Sequence, residues 1–202
     1  MYSHFFTCRL ILLLSAIFLI SSCSPQFNLK TVDRTSDSRT LMGLFTFKLP
    51  EGDNWYDLKS SPTSMSFSKA VEAKDASLTA AVYVKKTEHS FSSEKQFLNA
   101  IKSSRARNVV PANFNLLKHD ENIDATLGPF CTKYAVKVNR RERERSNGVD
   151  RQLIERRGFT CLHPKRADLI ITIEYTTHSR FNYVRREILL EGENFIRSLI
   201  FL

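Results

Sequence analysis

The chain has 202 residues, with 30 Lys and Arg against 21 Asp and Glu, and a formal net charge of +9. That length supports one domain with its own core, and the 15 Phe beside a single Trp supply much buried area per residue. The six glycines form no phosphate-cradling loop and no G-x-S-x-G occurs, so neither a nucleotide-binding enzyme nor a serine hydrolase is indicated, and no cofactor is expected.

Residues 1–9 are a short polar-to-basic head, and residues 10–20 (LILLLSAIFLI) are apolar throughout. Eleven apolar residues fall short of the roughly 20 that a membrane-spanning helix needs, but they suit the apolar stretch of a signal peptide. Ile20-Ser21-Ser22-Cys23 follows at once. A branched apolar residue, two small residues and Cys resemble a lipobox: the small residues let a peptidase accept the extended backbone, and the thiol is the nucleophile that takes the diacylglycerol. Residues 1–22 are therefore expected to be a signal peptide, with Cys23 lipidated and made the mature N-terminus. Ser24 in place of Asp resembles the outer-membrane sorting pattern of enterobacterial lipoproteins. The expected address is the bacterial cell envelope, anchored by lipid and facing the periplasm. Removing Arg9 with the leader leaves a mature charge of +8. Nucleic acid is not an expected partner for an exported chain. The basic surplus reads either as a solubilising surface or as a match for an anionic partner. Residues 23–40, rich in Ser, Thr and Asp, read as a lipidated N-terminus and flexible tether, which places the domain at 41–202.

Within that domain, LFTFKLP alternates and stops at Pro50-Glu51-Gly52-Asp53, a strand closed by a turn. Met65 to Val71 and Leu78 to Lys86 alternate again and form a hairpin around Lys74-Asp75. Ser92 or Ser93 opens a helix, since Ser93 and Gln96 have capping-box spacing, and Phe97, Ala100, Ile101 and Ala106 give it a partly apolar stripe ending near Asn108. Phe114 to Lys118 and Ile123 to Leu127 read as two short strands, halted by Gly128-Pro129. Phe130, Thr132, Tyr134, Val136 and Val138 then alternate with Cys131, Lys133, Ala135 and Lys137, a half-buried strand. Asn147-Gly148 is the strongest short hairpin signal, with Arg151 to Leu162 returning. Leu169 to Tyr175 is apolar enough to be a central strand covered on both faces. Asn182 caps a closing helix predicted over Tyr183–Phe201.

Strand, two strands, helix, about five strands, helix is an α+β order, satisfied by a mostly antiparallel sheet with a mid-chain helix and a C-terminal helix packed on it. At this point the pattern resembles the PsbP-like fold, which includes DcrB-type bacterial lipoproteins. The matching features are the segment FTFKLPEGDNW, the single mid-chain helix before a run of long antiparallel strands, and the ending Phe195-Ile196-Arg197-Ser198-Leu199. The resemblance spans roughly 41–202 and is one of architecture. It implies an α/β/α sandwich and a binding or assembly role without a shared active site.

Cys8 leaves with the leader and Cys23 takes the lipid, so Cys131 and Cys161 remain, and an oxidising compartment favours a bridge between them. Hairpin geometry complicates that. A two-residue Asn147-Gly148 turn pairs Ser146 with Val149, so partners sum to 295 and the thiols stand three positions apart on opposite faces. A bulge or a longer loop would restore the match; the alternative is two buried free thiols. Cys161-x-His163 puts both side chains on one strand face, but zinc needs three or four ligands, so His163 is expected to be a structural strand-end histidine. The basic hairpin carries Arg140, Arg141, Arg143, Arg145, Arg151, Arg156 and Arg157, partly offset by Glu142, Glu144, Asp150 and Glu155. In the 295 register Arg145 faces Asp150 and Arg140 faces Glu155. The hairpin is either a solvated edge whose charges prevent aggregation or an Arg surface for anionic lipid, lipopolysaccharide phosphates or an acidic protein. The expected function is a non-catalytic, lipid-anchored envelope module engaging a protein partner. A carrier of a small apolar ligand or lipid is the alternative, and a hydrolase with an unrecognised site comes last.

Overall fold

A computed structural model describes residues 29–70, 76–108, 114–140, 152–180 and 186–202. In chain order the elements are β1 (Lys30–Thr31), β2 (Ser38–Leu41), β3 (Phe45–Lys48), β4 (Tyr56–Ser61), β5 (Ser64–Ala70), β6 (Ala76–Lys86), α1 (Glu94–Asn108), β7 (Phe114–Ile123), β8 (Cys131–Arg140), β9 (Leu153–His163), β10 (Arg166–Ser179), α2 (Arg186–Ile196) and β11 (Ile200–Phe201). The main sheet has the order β1-β4-β5-β6-β10-β9-β8-β7, and a small sheet has the order β11-β3-β2. All pairings are antiparallel. After β6 the chain crosses through α1 to the far edge, enters β7, and folds back strand by strand until β10 pairs with β6. The mostly antiparallel α+β plan and its two helices are as the sequence predicts.

The two faces of the sheet differ. Phe67, Leu78, Ala80, Val82, Phe159, Cys161, Ile171, Ile173 and Tyr175 are buried with Phe45, Phe47, Trp55, Phe195 and Ile196 in one core. These come from one side of the pleat, beneath α2 and the small sheet. Phe47 meets Phe67 and Phe195 at ring-centroid distances of 6.5 and 6.2 Å. A Cβ on Gly192 would stand 2.4 Å from the Tyr175 ring, so glycine is what lets α2 lie this close to β10. The opposite face carries α1. β10 sits inside the sheet and is buried on both faces over Ile171–Ile173, as expected of a central strand.

Local chemistry sets the element ends. The Gln96 amide donates to Ser93 Oγ at 3.2 Å, while Gln96 Oε1 accepts from the Ser92 amide at 2.8 Å and its hydroxyl at 3.0 Å. The cap forms as spaced, but the glutamine reaches one residue further back than a strict capping box.

Four expectations change. The tether does not extend to residue 40: β1 pairs with β4 and β2 with β3, and Arg34 donates to Pro50 O at 2.6 Å. Polar residues are tolerated there because β1 and β2 are sheet edges with one side open to water. The expected pair of strands over Phe114–Leu127 is one edge strand, β7, with a register shift between Leu116 and Lys118. An edge strand accepts the charges that read as a break, and Asp124 then caps a 3-10 turn at Ala125–Leu127, its carboxylate accepting from the Thr126 amide at 3.0 Å. The closing helix stops at Ile196, where Ser198 Oγ donates to Phe195 O at 2.7 Å, and the last residues pair with β3 instead. Finally, β8 and β9 pair with partners summing to 292, not 295. Asn182, Tyr183 and the turns at Lys74-Asp75 and Asn147-Gly148 lie outside the described residues.

Candidate functional site

The 292 register puts Cys131 directly opposite Cys161, and the two are joined as a disulfide with Cα atoms 4.1 Å apart. The neighbouring Leu162 amide donates to Phe130 O at 3.0 Å, so the cysteines occupy a non-hydrogen-bonded rung, where opposed side chains stand closest. The three-position separation expected from the turn does not occur. The core overrides it, because an odd shift would turn every β9 side chain to the other face. The Arg140–Glu155 pair expected at 295 fails for the same reason, since Glu155 stands opposite Lys137, whereas Arg145 and Asp150 lie outside the described residues.

Arg156 and Arg157 point to opposite faces. Arg157 Nε donates to Glu155 Oε1 at 2.7 Å, and Arg156 Nε lies 3.9 Å from Glu174 Oε1. They therefore do not converge on one ligand. Arg140 ends β8. Cys23, Arg141, Arg143, Arg145 and Arg151 lie outside the described residues. His163 is buried, its Nε2 3.2 Å from Leu44 O and its Nδ1 accepting from the Lys165 amide at 3.1 Å. With Cys161 in the bridge, that pair offers no metal site, and among the described residues no three His, Cys, Asp or Glu are grouped to hold one. No described helix is long and apolar enough to cross a membrane.

The polar centre of the molecule lies under α1. Arg105 donates from Nε to Glu121 Oε2 at 3.1 Å and from Nη2 to Thr160 Oγ1 at 2.8 Å. Its guanidinium stacks 3.3 Å above the centroid of Tyr134. Glu121 has a fully buried carboxylate that also accepts from Thr132 Oγ1 at 3.2 Å, and His119 Nε2 lies 3.2 Å from it. Tyr134 crosses β9 to donate to Glu174 Oε2 at 2.7 Å, and Tyr83 donates to the same oxygen at 3.3 Å. Gly158 makes that crossing feasible, since a Cβ there would sit 2.8 Å from Tyr134 Oη and 2.3 Å from Ile173 O.

Electrostatics follow from this packing. Burial pushes the Tyr83 hydroxyl up to about 12, with the Glu174 charge adding to it. Tyr134 is driven well above the ordinary phenol range by burial and again by Glu174. Burial opposes the charge of Arg105, but Tyr134 and Glu121 outweigh it and hold the guanidinium more firmly protonated. These tyrosines stay neutral donors, and the polar groups bond to one another rather than to a cavity. The network unites residues from six elements, β6, α1, β7, β8, β9 and β10, spread over 92 positions, and only the isolated mid-strand Gly158 hints at it from the sequence.

A groove of about 450 Å³ lies at the opposite end of β8 and β9 from Arg140 and Leu153, lined by Leu127, Pro129, Pro164, Leu199 and Phe201, with Arg197 among its polar residues.

No protein-family model matches the chain, and no curated protein matches it. Solved structures do. The Ran-binding protein Mog1p of Saccharomyces cerevisiae aligns over 85% of this chain and 95% of its own, with 10% identity and a TM-score of 0.46. The solution structure of cyanobacterial PsbP (CyanoP) from Synechocystis sp. PCC 6803 aligns over 91% of this chain and 99% of its own, with 11% identity and a TM-score of 0.43. The PsbP neighbour is of the fold that the sequence resemblance names, and both likenesses concern the fold.

Proposed function

We propose that the chain is a lipid-anchored, non-catalytic binding or assembly module of the bacterial cell envelope, held through Cys23 in the outer membrane and engaging an envelope protein. The observation that carries the non-catalytic reading is the closed network under α1, whose buried donors and acceptors satisfy one another. Groups poised for chemistry would instead converge on a cleft. The first described strand begins at Lys30, seven positions after Cys23, and seven residues of chain span at most roughly 25 Å. The module would therefore work close to its membrane. Arg156 remains partly exposed, and it and the arginines at 140, 141, 143, 145 and 151 in the sequence are the groups offered to an acidic protein, anionic lipid or lipopolysaccharide phosphates.

The anchor is tested by labelling with a palmitate analogue, which Cys23→Ala should abolish; equal labelling in both forms refutes it. Partner engagement is tested by pull-down from native membranes in gentle detergent. Charge reversal at Arg141 and Arg143 should weaken recovery of the partner, and unchanged recovery would remove the Arg surface from the reading. One observation favours the carrier alternative: the 450 Å³ groove falls within the size range of small-molecule sites. Native mass spectrometry of the purified protein would reveal a co-purifying lipid if that alternative holds.

A further inference from the structure

One end of the main sheet carries an apolar rim that the core does not absorb. β9 ends there at His163 and β10 begins there at Arg166. Pro164, between them, lines the groove of about 450 Å³ together with Leu127, Leu199 and Ile200, and Ile200 is 61% exposed. The β2–β3 turn abuts the same wall: Leu44 O accepts from the Leu202 amide at 2.9 Å and lies 3.2 Å from His163 Nε2. At the tip of that turn Met42 is 48% exposed, and Met42 and Gly43 stand at φ 56° and 67°. Asparagine and glycine meet that demand for positive φ most readily. Here a long apolar side chain is held in the disfavoured backbone and left in the open, a cost that points to a use outside the fold.

Cations flank this rim. Lys165 and Arg166 form the β9–β10 turn, and Lys86 stands opposite Leu169 at the end of β6, with Lys85 before it. All four are exposed, and the acids beside them are Glu88 and Asp168. Arg197, in the groove, is already paired with Glu193. The chain also arrives from this end. β1 is antiparallel to β4, with Lys30 opposite Asp57 and Thr31 opposite Tyr56. β4 runs toward the turn at Pro62-Thr63, where Thr63 O accepts from the Val84 amide, near the end of β6. The chain therefore enters β1 from the groove end, seven positions after Cys23. We infer that this end is the surface by which the domain rests on its membrane. Met42, Ile200 and the groove rim enter the lipid interface, while Lys85, Lys86 and Lys165 meet anionic headgroups. A second copy seated on the rim would instead bring like charges together. The inference takes its setting from the anchored reading. The end of β8 and β9 at Arg140 and Leu153 then faces away from the bilayer.

The test uses the full mature chain carrying Cys23→Ser, so that binding needs no lipid on Cys23. The probe is vesicles of phosphatidylethanolamine and phosphatidylglycerol at low ionic strength. The Cys23→Ser parent should sediment with them, and Met42→Asp/Ile200→Asp should bind about tenfold more weakly or worse. Lys85→Glu/Lys86→Glu should also lose about tenfold. Leu117→Asp, at a leucine 53% exposed toward the other end of β7, should bind as the parent does. Met42→Asn separates docking from folding: it suits the turn better and should raise the melting temperature, yet still weaken binding. A parent that does not bind overturns the proposal. So does full binding by Met42→Asp/Ile200→Asp, or an equal loss in Leu117→Asp. A parent dimer that Met42→Asp/Ile200→Asp splits into monomers overturns it too, since the rim would then meet a second copy. The anchor fails separately: palmitate labelling that survives Cys23→Ala refutes the lipid on Cys23 and leaves the vesicle result standing.

Discussion

The two faces of the main sheet are held by different forces. Beneath α2 and the small sheet, rings and aliphatic side chains pack around Phe47, Phe159 and Ile173. That stabilisation grows with buried apolar area and needs no particular partner for any atom. Beneath α1, attachment rests on one buried ring, Phe97, and on charges that must meet: Arg105, Glu121 and the hydroxyls around them. Such a network is stable only when complete. The first face tolerates changes of shape in proportion to their size, whereas the second fails when a single partner is lost.

The largest expected effect is on the apolar face. Phe47→Ala removes a ring that touches both Phe67 and Phe195, and it should cost about 3–5 kcal/mol in denaturant unfolding. Phe47→Leu should cost clearly less, since the pocket grades volume. On the other face, Glu121→Leu leaves the Arg105 guanidinium buried without its carboxylate and should cost about 3–5 kcal/mol. The double variant Arg105→Met/Glu121→Leu should recover most of that loss, because removing both charges also removes their desolvation penalty. If the double variant is as unstable as the single one, the pair is not what holds α1.

A smaller effect returns to the first face. The Tyr175 hydroxyl is buried and has no hydrogen-bond partner among the described residues, and burial with the nearby Glu191 charge drives it far above the phenol range. Tyr175→Phe keeps the contacts with Trp55 and Gly192 while discarding a desolvated dipole. It should leave the melting temperature unchanged or raise it slightly. A loss comparable to that of Phe47→Ala would mean that the hydroxyl is bonded after all.

How much of this was legible beforehand differs between the faces in the same way. Alternation of Phe45 with Phe47, and of Val82 with its neighbours, announces strands and their inner side, because burial imprints a period of two on the sequence. The cap at Ser93 is readable because its partners are three and four residues away. Register across Asn147-Gly148 misleads, since local turn chemistry competes with a core formed by strands far apart in sequence, and the core prevails. The network under α1 is invisible for a similar reason. Arg105, Glu121, Tyr134 and Glu174 have ordinary spacing along the chain and meet only after the chain has crossed to the far edge and folded back. β7 shows the same limit in reverse: four consecutive charged or titratable residues look like a loop, and only an edge position makes them a strand.

The smallest effect concerns protons. His178 lies on β10, and its ring is held below the usual histidine range by burial first and by the Arg156 charge second. Arg156 is on the facing strand β9, where Ile154 is the direct partner of His178. The folded state therefore takes up its proton at lower pH than the unfolded chain does. The contribution of neutral His178 is full above about pH 6.5 and is lost progressively as pH falls from there toward the lowered folded value, because the unfolded state binds the proton first. Unfolding free energy should thus decline on acidification below that point. His178→Gln should flatten the decline without altering stability at pH 8 by as much, as denaturant titrations at both pH values would show. Arg156→Gln should narrow the same window by removing the neighbouring charge, while leaving the larger part due to burial in place. If His178→Gln retains the full acid slope, the decline originates instead in carboxylates such as Glu193, whose two cationic partners, Lys133 and Arg197, hold it below its usual range against the opposing effect of burial.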